Sequence, residues 1–431
     1  MGESKLAALF LTILAAGTAM LVTMVALLVQ FLGGTGQAEV WRAIIVALAG
    51  AGMGLSVVGI VHLSLIASRR TASARRDAHI ANWTHVWSAV AAGADGPSVR
   101  REGMEAAAEG AALVLQDTKG EGAERIRLAL LASGTITADL ALATRGLLSQ
   151  AGDSTAALER LAWIAVPETL PLFEVAAGST SDRVSRAALL GLMRVLAGQR
   201  NPDDIGVAVI EAIEEHVRTT RDAEGARPFL TAVMLAADDN LAWLCRELLA
   251  SGATTTVRVA ALDAMGRSQR PEAGEIATVA LLGGAQGETK AAALRTLASV
   301  GYVPPVAVKA VVAAASDAVK AVRVQAAYAL VGVESSVALP ALWDGLADEA
   351  WEVRRACADA LLSYGRAGAE LLRRAALEHS DRFARDVSNM ALGTQGSTVV
   401  ASKPAVAAVR DGPIPLAELP LIGDFAARGL A

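Results

Sequence analysis

Acidic pairs and histidines are the side chains of this sequence that could carry out acid–base or metal chemistry. Asp238 and Asp239 precede Asn240 at a point where a helix is expected to begin, so we interpret this pair as helix capping. The histidine spacing matches no zinc pattern. We therefore predict no catalytic residue, no metal site, no cofactor and a protein that is not an enzyme. The candidates considered are Asp203 and Asp204, Glu214 and Glu215, Asp238 and Asp239, and His62, His79, His85, His216 and His379.

A glycine-rich run at residues 283–290 has the composition of a phosphate-binding loop. Its sequence is Gly283-Gly-Ala-Gln-Gly-Glu-Thr-Lys290, which lacks the Gly-Lys-Ser/Thr order of such loops. No strand is expected before it, whereas phosphate loops follow a strand. We therefore predict a turn here.

Composition and charge exclude several classes of protein. Hydrophobic residues make up 53% of the 431 residues, and the mean hydropathy is +0.42. Such values exclude disorder, collagen-like repeats and a disulfide framework, and they require membrane segments or an Ala/Leu-rich helical stack. The two cysteines, Cys245 and Cys357, fit a reducing compartment. Residues 77–395 hold 30 basic and 39 acidic side chains, a net charge of −9, which argues against nucleic acid as a partner.

A repeat of about 32 residues runs through the second half of the chain and supplies the elements that position any site. Each copy has a basic residue, a small residue three positions later and Leu or Met at the seventh position, which places all three on one helical face. Each period also holds a second helix upstream, so the pattern predicts an all-α fold, an α-solenoid of stacked helix pairs. The basic residues are Arg258, Lys290, Arg323, Arg354 and Arg385, at intervals of 32, 33, 31 and 31.

The spacing Asp317-x5-Arg323 and Asp348-x5-Arg354 resembles that of HEAT repeats, in particular the bacterial HEAT-like repeats also found in phycobilin lyases. The resemblance covers about 240–393. It implies that each aspartate caps the following helix or bonds to a neighbouring arginine. Three copies depart from the pattern, with Gly252 and Gly284 in the aspartate position and Asp381 four residues before Arg385 instead of six.

Two tryptophans in these repeats, Trp343 and Trp351, are candidates for contact with a partner. Tryptophan is enriched in interface hot spots, and only 4% of this chain is aromatic. The alternative is that both side chains pack between repeats. The sequence leaves this choice open.

Two long uncharged runs near the N-terminus predict a transmembrane helical hairpin within residues 1–70. The spans are about 6–32 and 43–68, and about 20 apolar residues suffice to cross a bilayer. Small residues at Gly50 and Gly54 would allow the two helices to pack closely. Arginines follow the second span and predict, by the positive-inside rule, that both termini and the repeats are cytoplasmic. Binding of anionic lipid is a second role open to these residues, which are Arg69, Arg70, Arg75 and Arg76.

The predicted organisation is therefore a hairpin at 1–70, a HEAT-like solenoid at 71–395 and a Pro/Ala-rich tail at 396–431. Trp83 and Trp87, with Ile80 and Val90, share one face of a helix that either caps the solenoid or lies on the membrane surface. The expected function is a scaffold or accessory subunit at the inner, cytoplasmic membrane that binds protein partners. The alternative that the resemblance leaves open is a lyase-type enzyme.

Overall fold

The computed structural model describes residues 68–149, 153–220 and 222–395, together with the single positions Thr23 and Ile66. The chain divides into two compact units, Met1–His85 and Val86–Ala431. Apart from positions 23, 66 and 68, the predicted membrane spans lie outside the described residues, as do Gly50, Gly54 and the tail 396–431.

Helices account for all regular structure in the described ranges, where there is no β-strand. Residues 68–85 of the first unit are helical, and the second unit begins with helical residues 86–91. Eighteen α-helices follow in the described part of the second unit. They are α1 Met104–Asp117, α2 Glu121–Ala132, α3 Thr135–Ser149, α4 Asp153–Ile164, α5 Leu170–Ala177, α6 Asp182–Ala197, α7 Asp203–Thr219, α8 Ala223–Met234, α9 Leu241–Ala250, α10 Thr255–Ser268, α11 Ala273–Leu282, α12 Gly287–Val300, α13 Val308–Ala314, α14 Lys320–Leu330, α15 Ser335–Gly345, α16 Trp351–Ser363, α17 Arg366–Glu378 and α18 Arg382–Gln395.

From α4 onward these helices alternate between two layers. Consecutive even-numbered helices from α4 to α18 pack against one another, and each odd-numbered helix from α5 onward packs against an even-numbered neighbour. From α9 onward, successive odd-numbered helices contact each other much less, which leaves space between them. Stacked helix pairs of this kind form an α-solenoid, so the predicted all-α repeat architecture is confirmed for the described residues.

Small side chains in the even-numbered layer explain how its helices come so close. The small residue predicted three positions after each basic residue is buried in all five copies, with at most 4% of its surface exposed. A larger side chain there would hold the neighbouring helix away. These residues are Ala261, Ala293, Ala326, Cys357 and Ser388.

Glycine serves the same purpose where an aromatic ring packs onto a helix. Gly191 lies in α6 under the ring of Phe173, and a Cβ atom at position 191 would lie 2.4 Å from the ring carbon Cζ. Gly206 in α7 accommodates Trp243 in the same way, with the corresponding distance at 2.2 Å. Neither position tolerates a larger side chain without displacement of the ring.

The start of the second unit is closed by a buried tryptophan. Trp87 is fully buried and Val90 is 2% exposed. The indole Nε1 of Trp87 donates a hydrogen bond to the carbonyl oxygen of Ala107 in α1, at 2.8 Å. The sequence left open whether this helix caps the solenoid or lies on the membrane surface. The burial of Trp87 and Val90 favours the cap for these two residues.

Among the helices that the structure describes, none by itself is both long enough and apolar enough to cross a membrane. One pair, Glu121–Ala132 and Thr135–Leu147, meets the length and composition criteria together, with a bend of 74° between its halves.

Candidate functional site

Ion pairs join successive repeats at the basic position of the sequence pattern. Lys290 of α12 binds Asp317, which precedes α14, with Nζ 2.6 Å from Oδ2. Arg323 of α14 binds Asp348, which precedes α16, through two parallel hydrogen bonds: Nε to Oδ2 at 2.7 Å and Nη2 to Oδ1 at 3.0 Å. We define the charge ladder as these four residues together with Arg354.

Each ladder aspartate also fixes the turn in which it lies. Asp348 accepts a hydrogen bond from the backbone N–H of Ala350 at 2.8 Å. Nη1 of Arg354 donates to the carbonyl oxygens of Asp348 and Glu349, at 2.7 and 3.0 Å. The turn at Asp317 has the same bonds, to the N–H of Val319 and from Nη1 of Arg323. A ladder aspartate therefore connects its own turn to the basic residue of the preceding repeat.

Burial makes these pairs matter for stability. Arg323 is only 8% exposed, and a buried charge is costly unless it is paired and hydrogen-bonded. The hydrogen bonds that Arg323 donates to Asp348 raise the pKa of Arg323, since they favour its charged form. The hydrogen bond from Lys290 likewise lowers the pKa of Asp317.

The repeats lack the ladder carboxylate at three positions, Gly252, Gly284 and His379, and the last of these follows Arg354. His379 stands six residues before Arg385, where Asp317 and Asp348 stand in their copies. Its Nδ1 accepts the backbone N–H of Asp381 at 3.1 Å, and its carbonyl oxygen accepts Nη1 of Arg385 at 2.6 Å. The turn is therefore conserved in shape, while an imidazole replaces the carboxylate.

Aromatic rings, and not a carboxylate, lie against the guanidinium of Arg354. Its Cζ lies 4.9 Å from the ring centre of Phe383 and 5.8 Å from that of Trp351. Arg354 is 9% exposed, and its Nε is buried without a hydrogen-bond partner among the described residues. Cation–π contacts take the place of the missing carboxylate at this position.

The second position without a carboxylate follows Arg258. Gly284 stands six residues before Lys290, and its φ of +86° is a conformation that favours glycine. Nε of Arg258 is buried and has no hydrogen-bond partner in the described ranges. A cavity of about 610 Å³ lies here between α9 and α11, and its walls include both Arg258 and Gly284. We name it the Arg258 cavity.

The two candidate tryptophans lie near the interrupted position at His379. Trp343 of α15 forms one wall of a cavity of about 450 Å³ between α15 and α17. The guanidinium of Arg374 lies 4.7 Å from the ring centre of Trp343, and the ring of His379 lies 5.1 Å from it. Trp351 begins α16 and is 42% exposed. Neither tryptophan is therefore a fully buried packing residue.

The acidic pair predicted to cap a helix does not do so. Residues Leu235–Asn240 form a 3-10 helix, and the start of α9 has no side-chain cap. Asp238 and Asp239 instead form ion pairs with Arg270, at 2.8 and 3.1 Å. The capping interpretation is wrong because a neighbouring repeat supplies a guanidinium that competes for these carboxylates. In the other pairs, Asp203 accepts the indole N–H of Trp243 and Glu214 accepts the backbone N–H of Thr254.

A serine–histidine pair is present that the sequence does not reveal. Oγ of Ser185 donates to the carbonyl oxygen of Ala177 at 2.6 Å and lies 2.8 Å from Nδ1 of His216. Both side chains are 1% exposed, and burial lowers the pKa of His216. Because no substrate can reach a hydroxyl at this depth, the pair stabilises the contact between α6 and α7 rather than acting on a substrate.

The other predicted positions have simple surroundings. The four arginines Arg69, Arg70, Arg75 and Arg76 are exposed on the helical residues 68–85. Both cysteines are buried and reduced. In the part of the chain that the structure describes, no group of three or more His, Cys, Asp or Glu side chains is placed to hold a metal ion.

Comparison with protein families identifies the repeat. The family of HEAT repeats matches residues 277–362. Residues 277–362 are therefore similar to HEAT repeats. The matched segment runs from α11 to α16 and contains Lys290, Asp317, Arg323, Asp348 and Arg354, the whole charge ladder. The comparison with curated proteins finds no match.

A second set of ion pairs joins the even-numbered helices and was missed at the level of sequence. Asp263 of α10 accepts two hydrogen bonds from Arg295 of α12, at 2.8 and 2.6 Å. A signal for this pair exists, because each residue stands five positions after the basic residue of its own copy. Arg160 and Asp139, which form a buried two-bond pair between α3 and α4, lie outside the regular spacing and give no such signal.

Proposed function

We propose that this chain is a HEAT-repeat scaffold that binds protein partners through its C-terminal repeats. HEAT repeats commonly mediate contacts between proteins, and an array of stacked helix pairs offers an extended surface for them. The proposal includes the view that the chain is not an enzyme and needs no cofactor. In support, Asp203, Glu214 and Asp238, one residue of each acidic pair, are engaged in contacts between helices.

One observation carries the assignment of the surface. Exposed aromatic and arginine side chains cluster around the interrupted ladder position at His379. Phe383 is 58% exposed and Trp351 is 42% exposed, and Arg354 lies against both rings. Trp343 and Arg374 border the cavity between α15 and α17, which is close by in sequence. The ring of Trp343 lies against both His379 and the guanidinium of Arg374. Tryptophan and arginine are the residue types most enriched in interface hot spots.

A membrane attachment completes the proposal and rests on the sequence. The uncharged runs at 6–32 and 43–68 would anchor the chain in the inner, cytoplasmic membrane as a two-pass hairpin. The exposed arginines at 69, 70, 75 and 76 would keep the repeats on the cytoplasmic side. Attachment raises the effective concentration of the repeats toward any partner in the same membrane, so the chain would act as an accessory subunit there.

Affinity purification of the full chain from mild detergent tests the binding surface. The variant Trp351→Ala/Phe383→Ala is expected to lose at least about 90% of the co-purified partner, since hot-spot truncations cost about 2 kcal/mol or more. Tyr302→Ala is the matched control, because Tyr302 is 56% exposed but lies away from the cluster in sequence. Partner retention by the double variant, with unchanged circular dichroism, would refute the assignment.

Protease protection tests the membrane part separately. Protease added outside intact cells should leave residues 71–395 uncut, and inverted membrane vesicles should expose them. Cleavage of the repeats in intact cells, or release of the chain by gentle lysis without detergent, would contradict the topology.

A further inference from the structure

The Arg258 cavity has the features of a binding site for a carboxylate group. Its origin is the glycine at position 284, since the ladder aspartate that would fill this space in other copies is absent. The cavity measures about 610 Å³, which is within the usual range of about 300–1,000 Å³ for ligand pockets. Its walls come from α9, α10, α11 and the turn before α12.

The guanidinium of Arg258 is the group that lacks a partner. In the intact copy, Arg323 uses Nε and Nη2 to hold both oxygens of Asp348, at 2.7 and 3.0 Å. Nε of Arg258 is buried and makes no hydrogen bond among the described residues. Because Nε is buried, a ligand in the cavity would bond to the terminal Nη groups of Arg258 and would compensate there for the unpaired charge of the guanidinium.

The position beside Arg258 differs from the interrupted position beside Arg354. Arg354 also lacks a carboxylate partner, but the rings of Trp351 and Phe383 cover it. No aromatic ring among the described residues lies over Arg258, and its guanidinium borders an open cavity. A ligand can therefore enter the space left at Gly284.

The remaining charges of the cavity select the kind of anion. Arg246 adds a second cation, while Glu247 and Glu275 add two carboxylates to the walls. A dianionic phosphate would be repelled by these two glutamates more strongly than a singly charged carboxylate. The planar fork of an arginine also matches the two oxygens of a carboxylate.

We propose that the Arg258 cavity binds a carboxylate group, which takes the place of the missing ladder aspartate and accepts hydrogen bonds from Arg258. Two sources carry this chemistry: a glutamate or aspartate side chain of a bound peptide segment, and a free organic acid. The site lies three repeats before the aromatic cluster around His379 and does not depend on the function proposed for that cluster.

Binding to the full chain in detergent, measured by fluorescence anisotropy, tests the proposal. The probe is a dansyl-labelled peptide, Ala-Ala-Glu-Ala-Ala with blocked ends, and its matched control has Gln in place of Glu, so that the side chain is the only carboxylate. Butyrate, a singly charged free acid, and inorganic phosphate serve as competitors. We expect the Glu peptide or butyrate to bind at least tenfold more tightly than the Gln peptide, with phosphate weaker than butyrate. Displacement of the peptide by butyrate at equal concentration identifies a free acid as sufficient, and failure to displace it identifies a peptide side chain.

The variants Arg258→Met and Arg354→Met separate binding from folding. Arg258→Met should lower affinity for the carboxylate probe at least tenfold, while Arg354→Met leaves it unchanged. In the absence of ligand, Arg258→Met should unfold at the same temperature as the parent chain or higher, because it removes an unpartnered buried donor. Equal binding of Glu and Gln peptides, absence of binding by every carboxylate probe, or tighter binding of phosphate would overturn the proposal. A marked loss of stability in Arg258→Met would overturn it too, since Arg258 would then already have a partner.

Discussion

The ion pair between Arg323 and Asp348 allows a quantitative prediction about how the repeats are joined. The change Asp348→Asn keeps the shape of the side chain and its bond to the N–H of Ala350 but removes the negative charge opposite Arg323. The guanidinium is 9% exposed and the carboxylate 12% exposed, so solvent screens the pair little.

The expected loss of free energy of unfolding depends on the interactions that Arg323 retains in the Asp348→Asn variant. Removing one partner of a buried ion pair costs about 3–5 kcal/mol when the other charge is left uncompensated. Arg323 retains hydrogen bonds to the carbonyl oxygens of Asp317 and Ala318, and Glu349 lies 3.3 Å away. Asparagine also offers one neutral acceptor. We therefore expect a loss of about 2 kcal/mol in the free energy of unfolding.

Urea unfolding of the full chain, followed by circular dichroism at pH 7, measures this loss. The control is Glu352→Gln, which breaks the ion pair between Lys320 and Glu352, two side chains that are 54% and 55% exposed. Exposed pairs contribute about 0–1 kcal/mol, so the control should lie within about 0.5 kcal/mol of the parent chain.

A double-mutant cycle decides whether the ion pair itself is responsible. The variants Arg323→Met, Asp348→Asn and their combination should show a coupling energy above about 1 kcal/mol, because the two side chains interact directly. A coupling energy near zero, or an Asp348→Asn variant as stable as the control, would refute the view that the ladder joins the repeats.

Three further predictions concern the interior of the repeats. Gly191→Ala should lower the free energy of unfolding by about 1–3 kcal/mol, because its Cβ would collide with the ring of Phe173. The control Gly393→Ala has open space around its Cβ and should not lower it. Equal stability of the two variants in urea would contradict the close packing. Burial lowers the pKa of His216 in the folded chain, so the free energy of unfolding should fall as the pH drops below about 6.5, the pKa of histidine in the unfolded chain. The variant His216→Gln should show a weaker dependence of this free energy on pH. A free energy of unfolding that is constant between pH 7 and 5 in the parent chain would count against this prediction. Cys245 and Cys357 should not react with iodoacetamide at pH 8 until urea unfolds the chain. Burial raises the pKa of both thiols, that of Cys357 to about 12, and only the thiolate reacts. Rapid labelling of the folded chain, detected by mass spectrometry, would disprove this prediction.

Much of the fold was predictable because the repeat is regular in sequence. The interval between Arg323 and Arg354 and the small residues at Ala326 and Cys357 were sufficient to indicate stacked helices that pack closely. The same pattern identified the four residues at 317, 323, 348 and 354, and the structure places all of them at the junctions between repeats. Local spacing carries this information because each junction is built from residues close together in one copy and the next.

Contacts between distant residues were harder to predict. Whether Asp238 and Asp239 cap a helix or pair with a guanidinium depends on where Arg270 comes to lie, 31 and 32 residues later. The stacking of Arg374 on Trp343 and the cover that Phe383 gives Arg354 likewise join separate helices. A departure such as Gly284 was visible in the sequence, but only the fold shows that it leaves an arginine beside an open cavity.

Asp317, Asp348 and His379 follow one another at equal steps of 31 residues and shape the same kind of turn. Residues 318–348 are thus one complete repeat unit that begins after one such turn residue and ends at the next. Excising it would put Arg354 where Arg323 stood and leave Lys290 bonded to Asp317 as before. An array of this design can shorten or lengthen by whole units through unequal recombination while every surviving junction keeps its chemistry.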